Sequence, residues 1–169
     1  MTQIKYQAYT LFSKQVRFNH AINYIQAFLN QYEGNYKFKL VDKTTNNFNT
    51  FKNETLKNGY MLVSNQGNDK TIYDHAKYNV IARVWHDNIH LKHNLDFSVH
   101  DEKIVGFLQM EEIETFLDKR GVCTCDILDV KEILYHDVIG QVSYYETKKQ
   151  FVNNQRKFVF ARFLNNGGV

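Results

Sequence analysis

Histidines are concentrated in one short segment of the chain: His86, His90 and His93 fall within eight residues and account for three of the seven histidines. At about 100° of rotation per helical residue, these side chains project from one narrow arc, with Asp87 beside it. Imidazole titrates near neutrality and is the commonest protein ligand of metal ions. His86 and His90, one helical turn apart, have the spacing at which two imidazoles bind a single zinc ion. The segment therefore predicts a functional site.

His93 has a simpler explanation than the other two histidines. It lies near the predicted C-terminal end of its helix, where a basic side chain stabilises the negative end of the helix dipole. A later histidine, His136, falls outside the apolar stripe of its own predicted helix and is expected to face solvent. These assignments leave His86 and His90 as the histidines expected to act in the site.

Polar side chains fall within the apolar stripes of the next two predicted helices. Glu102, Gln109 and Glu112 lie among the apolar residues of one helix. Asp137 and Gln141 lie in the middle of the stripe of the other. Burying such groups without partners costs several kcal/mol each, so they are expected to pair with one another, with water, or with a ligand or metal. The pattern predicts a polar centre shared by three helices.

Two interpretations of this polar centre remain open. One is a satisfied hydrogen-bond network that fixes the register of the helices. The other is a site for zinc, manganese or iron, in which His86, His90 and Asp137 are the metal ligands and Glu102 is the alternative third ligand.

The metal hypothesis gives the remaining polar residues roles as well. Asp87 and Glu102 are the candidate catalytic residues, and Asp87 would either orient an imidazole or act as the base. Gln109 and Gln141 would position the substrate or the metal ligands. An open metal position would hold a water molecule whose pKa falls toward about 7, which makes hydrolysis the expected chemistry.

The order His86-Asp87-Asn88-Ile89-His90 resembles the zincin metalloprotease motif, with aspartate in place of the central glutamate. Glu111, Glu112 and Glu114 follow at distances suited to a third ligand. Shortening the general base by one methylene group moves it away from the attacking water. A working zincin is therefore not expected.

The adjacent pair His86-Asp87, with Asp137 on a later helix, resembles the HD-domain phosphohydrolases. This resemblance implies an all-helical fold and a divalent metal held by scattered histidine and aspartate residues. It also implies another ligand histidine earlier in the chain, for which His20 and His75 are the available residues. If the protein is an enzyme, a metal-dependent hydrolase of this type is the expected class.

Hydrophobic periodicity predicts a mainly α, helical bundle-like single domain with a small two-stranded β element. Residues 1–70 are expected to form an N-terminal helix and a hairpin-like part, and residues 71–169 the helical core. Ser98-Val99-His100-Asp101 has capping-box spacing and marks the start of one helix. The predicted helices cover residues 13–32, 48–56, 74–92, 99–118, 126–148 and 153–164, the strands cover 36–41 and 60–64, and a frayed tail begins at 165.

Composition sets the broad class of protein. A chain of 169 residues with 43% hydrophobic and 15% aromatic residues can bury an ordinary core. Its 21 basic and 18 acidic residues leave a charge of +3, too small a surplus to indicate a nucleic-acid or membrane partner. No secretory signal is evident, so a cytoplasmic location is expected. Cys123 and Cys125 are expected to be reduced thiols, because such close spacing rarely suits a disulfide.

Six segments of the chain share a pattern with a known group of proteins: Met61-Leu62-Val63-Ser64-Asn65, Thr71-Ile72-Tyr73, Arg83-Val84-Trp85-His86-Asp87 with His90, Leu95-Asp96-Phe97-Ser98, Asp137 with Gly140-Gln141-Val142 and Tyr144-Tyr145, and Asn154-Gln155-Arg156 with Phe158-Val159. These segments resemble a family of small proteins common in bacteriophages and prophages. The resemblance implies a phage accessory protein in the cytoplasm of an infected host, and it implies no established activity. The alternative from another functional class is a non-enzymatic inhibitor that binds a host protein such as a polymerase, a nuclease or a defence component.

Overall fold

The computed structural model describes residues 3–67 and 70–166, with side chains described from Thr10 to Asn165 within those ranges. Over these residues the chain forms seven helices and one two-stranded sheet, which confirms the predicted mainly α class. None of the described helices is both long and apolar enough to cross a membrane. In chain order the elements are α1 (Gln3–Tyr32), β1 (Phe38–Val41), α2 (Phe48–Asn58), β2 (Met61–Ser64), α3 (Ala76–His93), α4 (Val99–Asp118), α5 (Thr124–Asp137), α6 (Ile139–Lys148) and α7 (Gln155–Asn166).

Helix α1 is the central support of the fold and packs against α3, α5 and α7. Phe18, Ile22, Ile25 and Leu29 recur every three to four residues and are all buried. Each such side chain contributes roughly 1.5–3 kcal/mol on burial, which outweighs the weak intrinsic stability of an isolated helix. The helix begins at Gln3 rather than at the predicted residue 13.

An aromatic cluster joins α1, α3 and α4 directly behind the histidines. The Trp85 ring is fully buried and lies 4.6 Å, centre to centre, from the ring of Phe28. The ring of Phe116 packs edge-on against the ring of Phe28, with the two ring centres 5.2 Å apart. The Trp85 indole Nε1 donates a 2.8 Å hydrogen bond to Glu112. This packing fixes the rotation of α3 and therefore the direction in which its next residue, His86, points.

The two strands pair in parallel, so the hairpin-like arrangement predicted for this part of the chain is wrong. Phe38 lies opposite Met61 in the register, and α2 connects the two strands. A hairpin reverses direction in a tight turn, whereas a helical connection brings the second strand back parallel to the first. Phe51, Met61 and Val63 then pack with Val84, which attaches the sheet to α3.

The helix predicted over residues 126–148 is divided at Val138 into α5 and α6. Val138 has φ −98° and ψ −72°, away from ideal helical geometry. The break lies where α6 approaches α4, because a Cβ added to Gly106 would lie only 2.8 Å from Ile139. Close packing between helices distant in sequence, rather than a local helix breaker, thus accounts for the break. It places Asp137 and Gln141 on opposite sides of a bend.

Three smaller predictions also need correction or restriction. His136 is buried rather than solvent-facing, because α6 and α7 pack against α5. Cys123 and Cys125 form a disulfide, since they lie at the start of α5, where the turn brings their Cα atoms to 5.4 Å. Asn165 belongs to α7 rather than to a frayed tail, and residues 167–169 of that predicted tail lie outside the described residues.

Candidate metal centre

Two imidazoles from α3 meet at the centre of the site. His86 and His90 are one turn apart, and their Nε2 atoms lie 3.1 Å from each other. His86 is about one-fifth exposed, while His90 is fully buried beside the rings of Phe48 and Phe97. The predicted pairing of these two histidines on one helix face is therefore present in the structure.

The proton position on His90 follows from its backbone partner. Its Nδ1 lies 3.1 Å from the carbonyl oxygen of Leu95. A carbonyl oxygen only accepts hydrogen bonds, so Nδ1 carries the proton and the Nε2 lone pair of the neutral ring points into the site. Leu95 is held there because its own N–H bonds back to the His90 carbonyl just after Asn94, a left-handed residue that ends α3.

Gln109 orients the ring of His86 in the same way. Its side-chain oxygen lies 3.2 Å from His86 Nδ1, and its side chain is almost fully buried on α4. With that oxygen accepting, the Nε2 atom of a neutral His86 also presents a lone pair to the site. Two imidazole lone pairs therefore face each other when both rings are neutral.

Glu102 completes the group from the first turn of α4. One carboxylate oxygen lies 3.0 Å from His86 Nε2 and the other lies 3.6 Å from His90 Nε2. The predicted N-cap Ser98 accepts a hydrogen bond from the Asp101 N–H and fixes the start of the helix. The positive end of the helix dipole also favours a carboxylate in the first turn. The donor atoms of His86, His90 and Glu102 all lie within 4.8 Å of one another.

The charges in this group are tightly linked. Burial acts to lower the pKa of His86, but the hydrogen bond and the negative charge of Glu102 together raise it to about 9. Burial acts in the opposite direction on Glu102, yet its bonds to His86 and His90 hold the pKa of that carboxyl well below its usual range. Without a metal, a proton on His86 Nε2 therefore lies between two acceptors, the Glu102 carboxylate and the Nε2 atom of His90.

The group opens into a cleft of about 710 Å³ between α3, α4, α5 and α6. His86, Glu102 and Gln109 line this cleft, whereas His90 does not. Arg83 and Asn79 of α3 contribute further polar groups to the wall, opposite apolar residues of α5 and α6. This volume lies within the range of roughly 300–1,000 Å³ that is typical of small-molecule sites.

Asp137 lies in the cleft wall rather than with the clustered donor atoms of the two histidines. Burial raises the pKa of its carboxyl to about 7, although its hydrogen bond with Gln141 opposes the shift. The Gln141 Nε2 donates to an Asp137 carboxylate oxygen at 2.8 Å across the bend between α5 and α6. Of the two acids predicted as third ligand, Glu102 is therefore the one that the structure brings to the histidines.

Asp87 lies beside the histidines on α3 but does not orient them. The Nδ1 atoms of the two imidazoles face Leu95 and Gln109 instead. Burial raises the pKa of Asp87 to about 6, and the neighbouring histidines partly oppose that shift. An acid of this pKa can exchange protons near neutrality, as the prediction of a base requires.

The other candidate ligands are engaged elsewhere. Of the two histidines suggested by the HD-domain resemblance, His75 caps α3 and His20 lies beside Asp126. Of the carboxylates suggested by the zincin resemblance, Glu112 bonds Trp85 and Glu114 pairs with Lys131. Glu111, the remaining one, is exposed on α4. None of these five residues belongs to the clustered donor group of the described chain.

Leu95 belongs to the candidate site, and reasoning from side chains missed it. Its contribution is a backbone oxygen, which no pattern of residue types reveals. The available signal was Asn94, a residue type that commonly ends helices in the left-handed conformation and so turns the following carbonyl back toward the last turn.

Compared with models of protein families, with curated proteins and with solved structures, the chain matches none. The resemblance to small phage proteins thus stays a prediction, and the case for function depends on the geometry of the site.

Proposed function

We propose that this protein is a metal-dependent hydrolase in which His86, His90 and Glu102 bind a divalent transition-metal ion. The observation that carries the proposal is the convergence of two imidazole lone pairs and a carboxylate on one point. Hydrogen bonds on the far side of both rings keep those lone pairs directed inward. Two histidines with one carboxylate form the ligand set of many catalytic zinc sites and of non-haem iron sites.

The spacing of the donors supports a metal without rearrangement. Ligand atoms bound to a tetrahedral ion at about 2.0–2.1 Å lie about 3.3 Å from one another. The pairs in this site are separated by 3.1 Å between the imidazoles, and by 3.0 Å and 3.6 Å from the imidazoles to the carboxylate. Shifts of a few tenths of an ångström would suffice to complete the coordination.

The cleft supplies what a hydrolytic reaction needs beyond the metal. A divalent ion with an open position lowers the pKa of a coordinated water toward about 7. Asp137, whose pKa of about 7 suits proton transfer at neutral pH, lies in the wall and is held by Gln141. Arg83 adds a positive charge to the same wall for an acidic group on the substrate. The size of the cleft favours a small molecule over a folded polymer.

A structural network is the competing explanation, because His86 and Glu102 also form a good ion pair without metal. The two explanations differ in what the purified protein contains. Elemental analysis by mass spectrometry of the full chain with its disulfide intact, equilibrated with zinc, manganese or iron(II) and then desalted, is expected to find one ion per chain. His86→Ala, His90→Ala and Glu102→Gln are each expected to lose it. His93→Ala, an exposed change on the same helix, is the matched control and keeps it.

Hydrolysis is tested with the metal-loaded protein against chromogenic phosphate, carboxylate and glycoside esters. Turnover that disappears in Glu102→Gln and persists in His93→Ala would support the proposal. A folded wild-type protein that retains no ion with any of the three metals would contradict it. That result would favour the structural network and, as function, the non-enzymatic phage inhibitor that binds a host protein.

A further inference from the structure

A second group of metal-binding side chains lies at the start of α5, away from the residues assigned to the first centre. Cys123, the N-cap of that helix, is joined to Cys125 by a disulfide. The donor atoms of Cys123, Cys125 and Asp126 lie within 4.8 Å of one another. His20 of α1 reaches the same place, and its Nδ1 lies 3.7 Å from an Asp126 carboxylate oxygen.

The neighbouring contacts fix this group on two packed helices. Tyr24, one turn after His20, donates a 3.3 Å hydrogen bond to the second Asp126 oxygen, and its ring lies against the His20 ring. Arg17 of α1 pairs with Asp129 of α5 close by. The ligands from α1 and α5 are therefore held in register by contacts outside the group.

The start of a helix also suits thiolates. The N-terminal dipole lowers the pKa of a cysteine, and a thiolate is the form that binds metals. Cys123 makes no capping hydrogen bond with its side chain, so its sulfur is not engaged by the helix backbone. Cys123 and Cys125 are both exposed, so a reductant in solution can reach the disulfide.

We propose that these residues form a redox-controlled zinc site, in which Cys123, Cys125, Asp126 and His20 bind the ion only after the disulfide is reduced. A small dithiol or two monothiols in solution supply two electrons: the protein S–S bond breaks and a new S–S bond forms in the reductant. The two cysteine thiols then lose their protons to solvent and bind Zn²⁺ as thiolates. Oxidation by a disulfide of the same class reverses the exchange and releases the ion.

The required movements are small. Two thiolates bound to zinc at about 2.3 Å lie about 3.8 Å apart, a separation that side-chain rotation can reach from Cα atoms at 5.4 Å. Nitrogen and oxygen ligands bound at about 2.0–2.1 Å lie about 3.3 Å apart, compared with 3.7 Å between His20 and Asp126. This site goes beyond the proposed hydrolase and does not depend on it.

The test is a Co²⁺ titration of the full chain after reduction with a phosphine, which leaves no competing thiol. The reduced protein is expected to develop the near-ultraviolet band of sulfur-to-cobalt charge transfer, and added Zn²⁺ should remove it. The oxidised protein should show no such band. The first centre contains no sulfur ligand, so its Co²⁺ binding contributes nothing to this signal.

Variants assign the ligands. Cys123→Ser and Cys125→Ser are each expected to abolish the band, and His20→Ala or Asp126→Asn to weaken Co²⁺ binding about tenfold or more. His100→Ala, an exposed change on α4, is the matched control. Far-ultraviolet circular dichroism checks that each variant folds. Absence of the band in the reduced wild type, or its survival in both serine variants, would overturn the site. Unchanged affinity in both His20→Ala and Asp126→Asn would overturn the four-ligand assignment.

Discussion

Removing the charge of Glu102 should destabilise the metal-free protein in a way that depends on pH. The substitution Glu102→Gln keeps the size of the side chain but removes the carboxylate that lies 3.0 Å from His86 Nε2. Both side chains are less than one-quarter exposed, so solvent screens the interaction only in part. The effect is therefore expected to exceed that of an exposed ion pair, which contributes about 0–1 kcal/mol.

The magnitude follows from the pKa of His86. Folding raises it from 6.5 to about 9, and a shift of one pKa unit corresponds to about 1.4 kcal/mol, which gives about 3 kcal/mol. A raised histidine pKa stabilises the folded state fully below the unfolded value and loses that contribution as the pH rises through the folded value. The stabilisation should thus be complete near pH 6 and almost absent near pH 10. The lowered pKa of Glu102 arises from the same interaction, so it contributes no further stabilisation beyond this value.

Urea unfolding in the presence of a chelator measures this effect. Near pH 6, Glu102→Gln is expected to lower the free energy of unfolding by about 3 kcal/mol relative to wild type, and near pH 10 by less than about 1 kcal/mol. Glu111→Gln, an exposed change on the same helix, should stay within about 0.5 kcal/mol of wild type at both pH values. Equal destabilisation by Glu102→Gln at the two pH values would refute the argument, because the effect would then not depend on the charge of His86.

Other substitutions separate the metal, the proton transfer and the fold. Gln109→Leu should weaken zinc binding about 10–100-fold in a chelator competition, and unchanged affinity would mean that His86 does not depend on this partner. Asp137→Asn should keep the metal but lower kcat and remove the fall in rate that wild type shows below about pH 7; an unaltered pH profile would exclude Asp137 as the proton acceptor. Gly106→Ala should lower the urea-unfolding free energy by about 1–3 kcal/mol, because its Cβ would lie 2.8 Å from Ile139. Gly140→Ala, whose Cβ would meet only contacts of 3.5 Å or more, is its control; equal losses would argue against the close approach of α4 and α6.

Local signals in the sequence were enough to predict the two helices that carry the centre. Ser98 starts α4 at the predicted residue, and α3 ends at His93, next to the predicted end at residue 92. His93 is exposed in the last turn of α3, where a basic side chain was expected. These features depend on contacts between residues a few positions apart, which a single sequence records directly.

The features that were missed depend on contacts between distant segments. Parallel pairing of β1 and β2 is decided by the path of α2, and the composition of the strands does not encode it. The bend at Val138 has neither proline nor glycine at the break, and its cause is the close approach of α6 to Gly106 on another helix. The burial of His136 depends on the packing of α7 against α5, which the periodicity of α5 by itself does not reveal.

The third metal ligand could be predicted only in part from the sequence. Helical wheels place both Glu102 and Asp137 on apolar faces and do not distinguish them. The connection from α3 to α4 spans only residues 94–98, and short connections make successive helices antiparallel neighbours. His90 lies one turn before this connection and Glu102 one turn after it, so the two must face each other whatever the rest of the chain does. Asp137 reaches the cleft only because α5 and α6 pack against α4, and this contact cannot be predicted from the sequence alone. Connection length, added to the wheels, therefore favours Glu102 as the ligand and leaves Asp137 free to transfer protons in the proposed reaction.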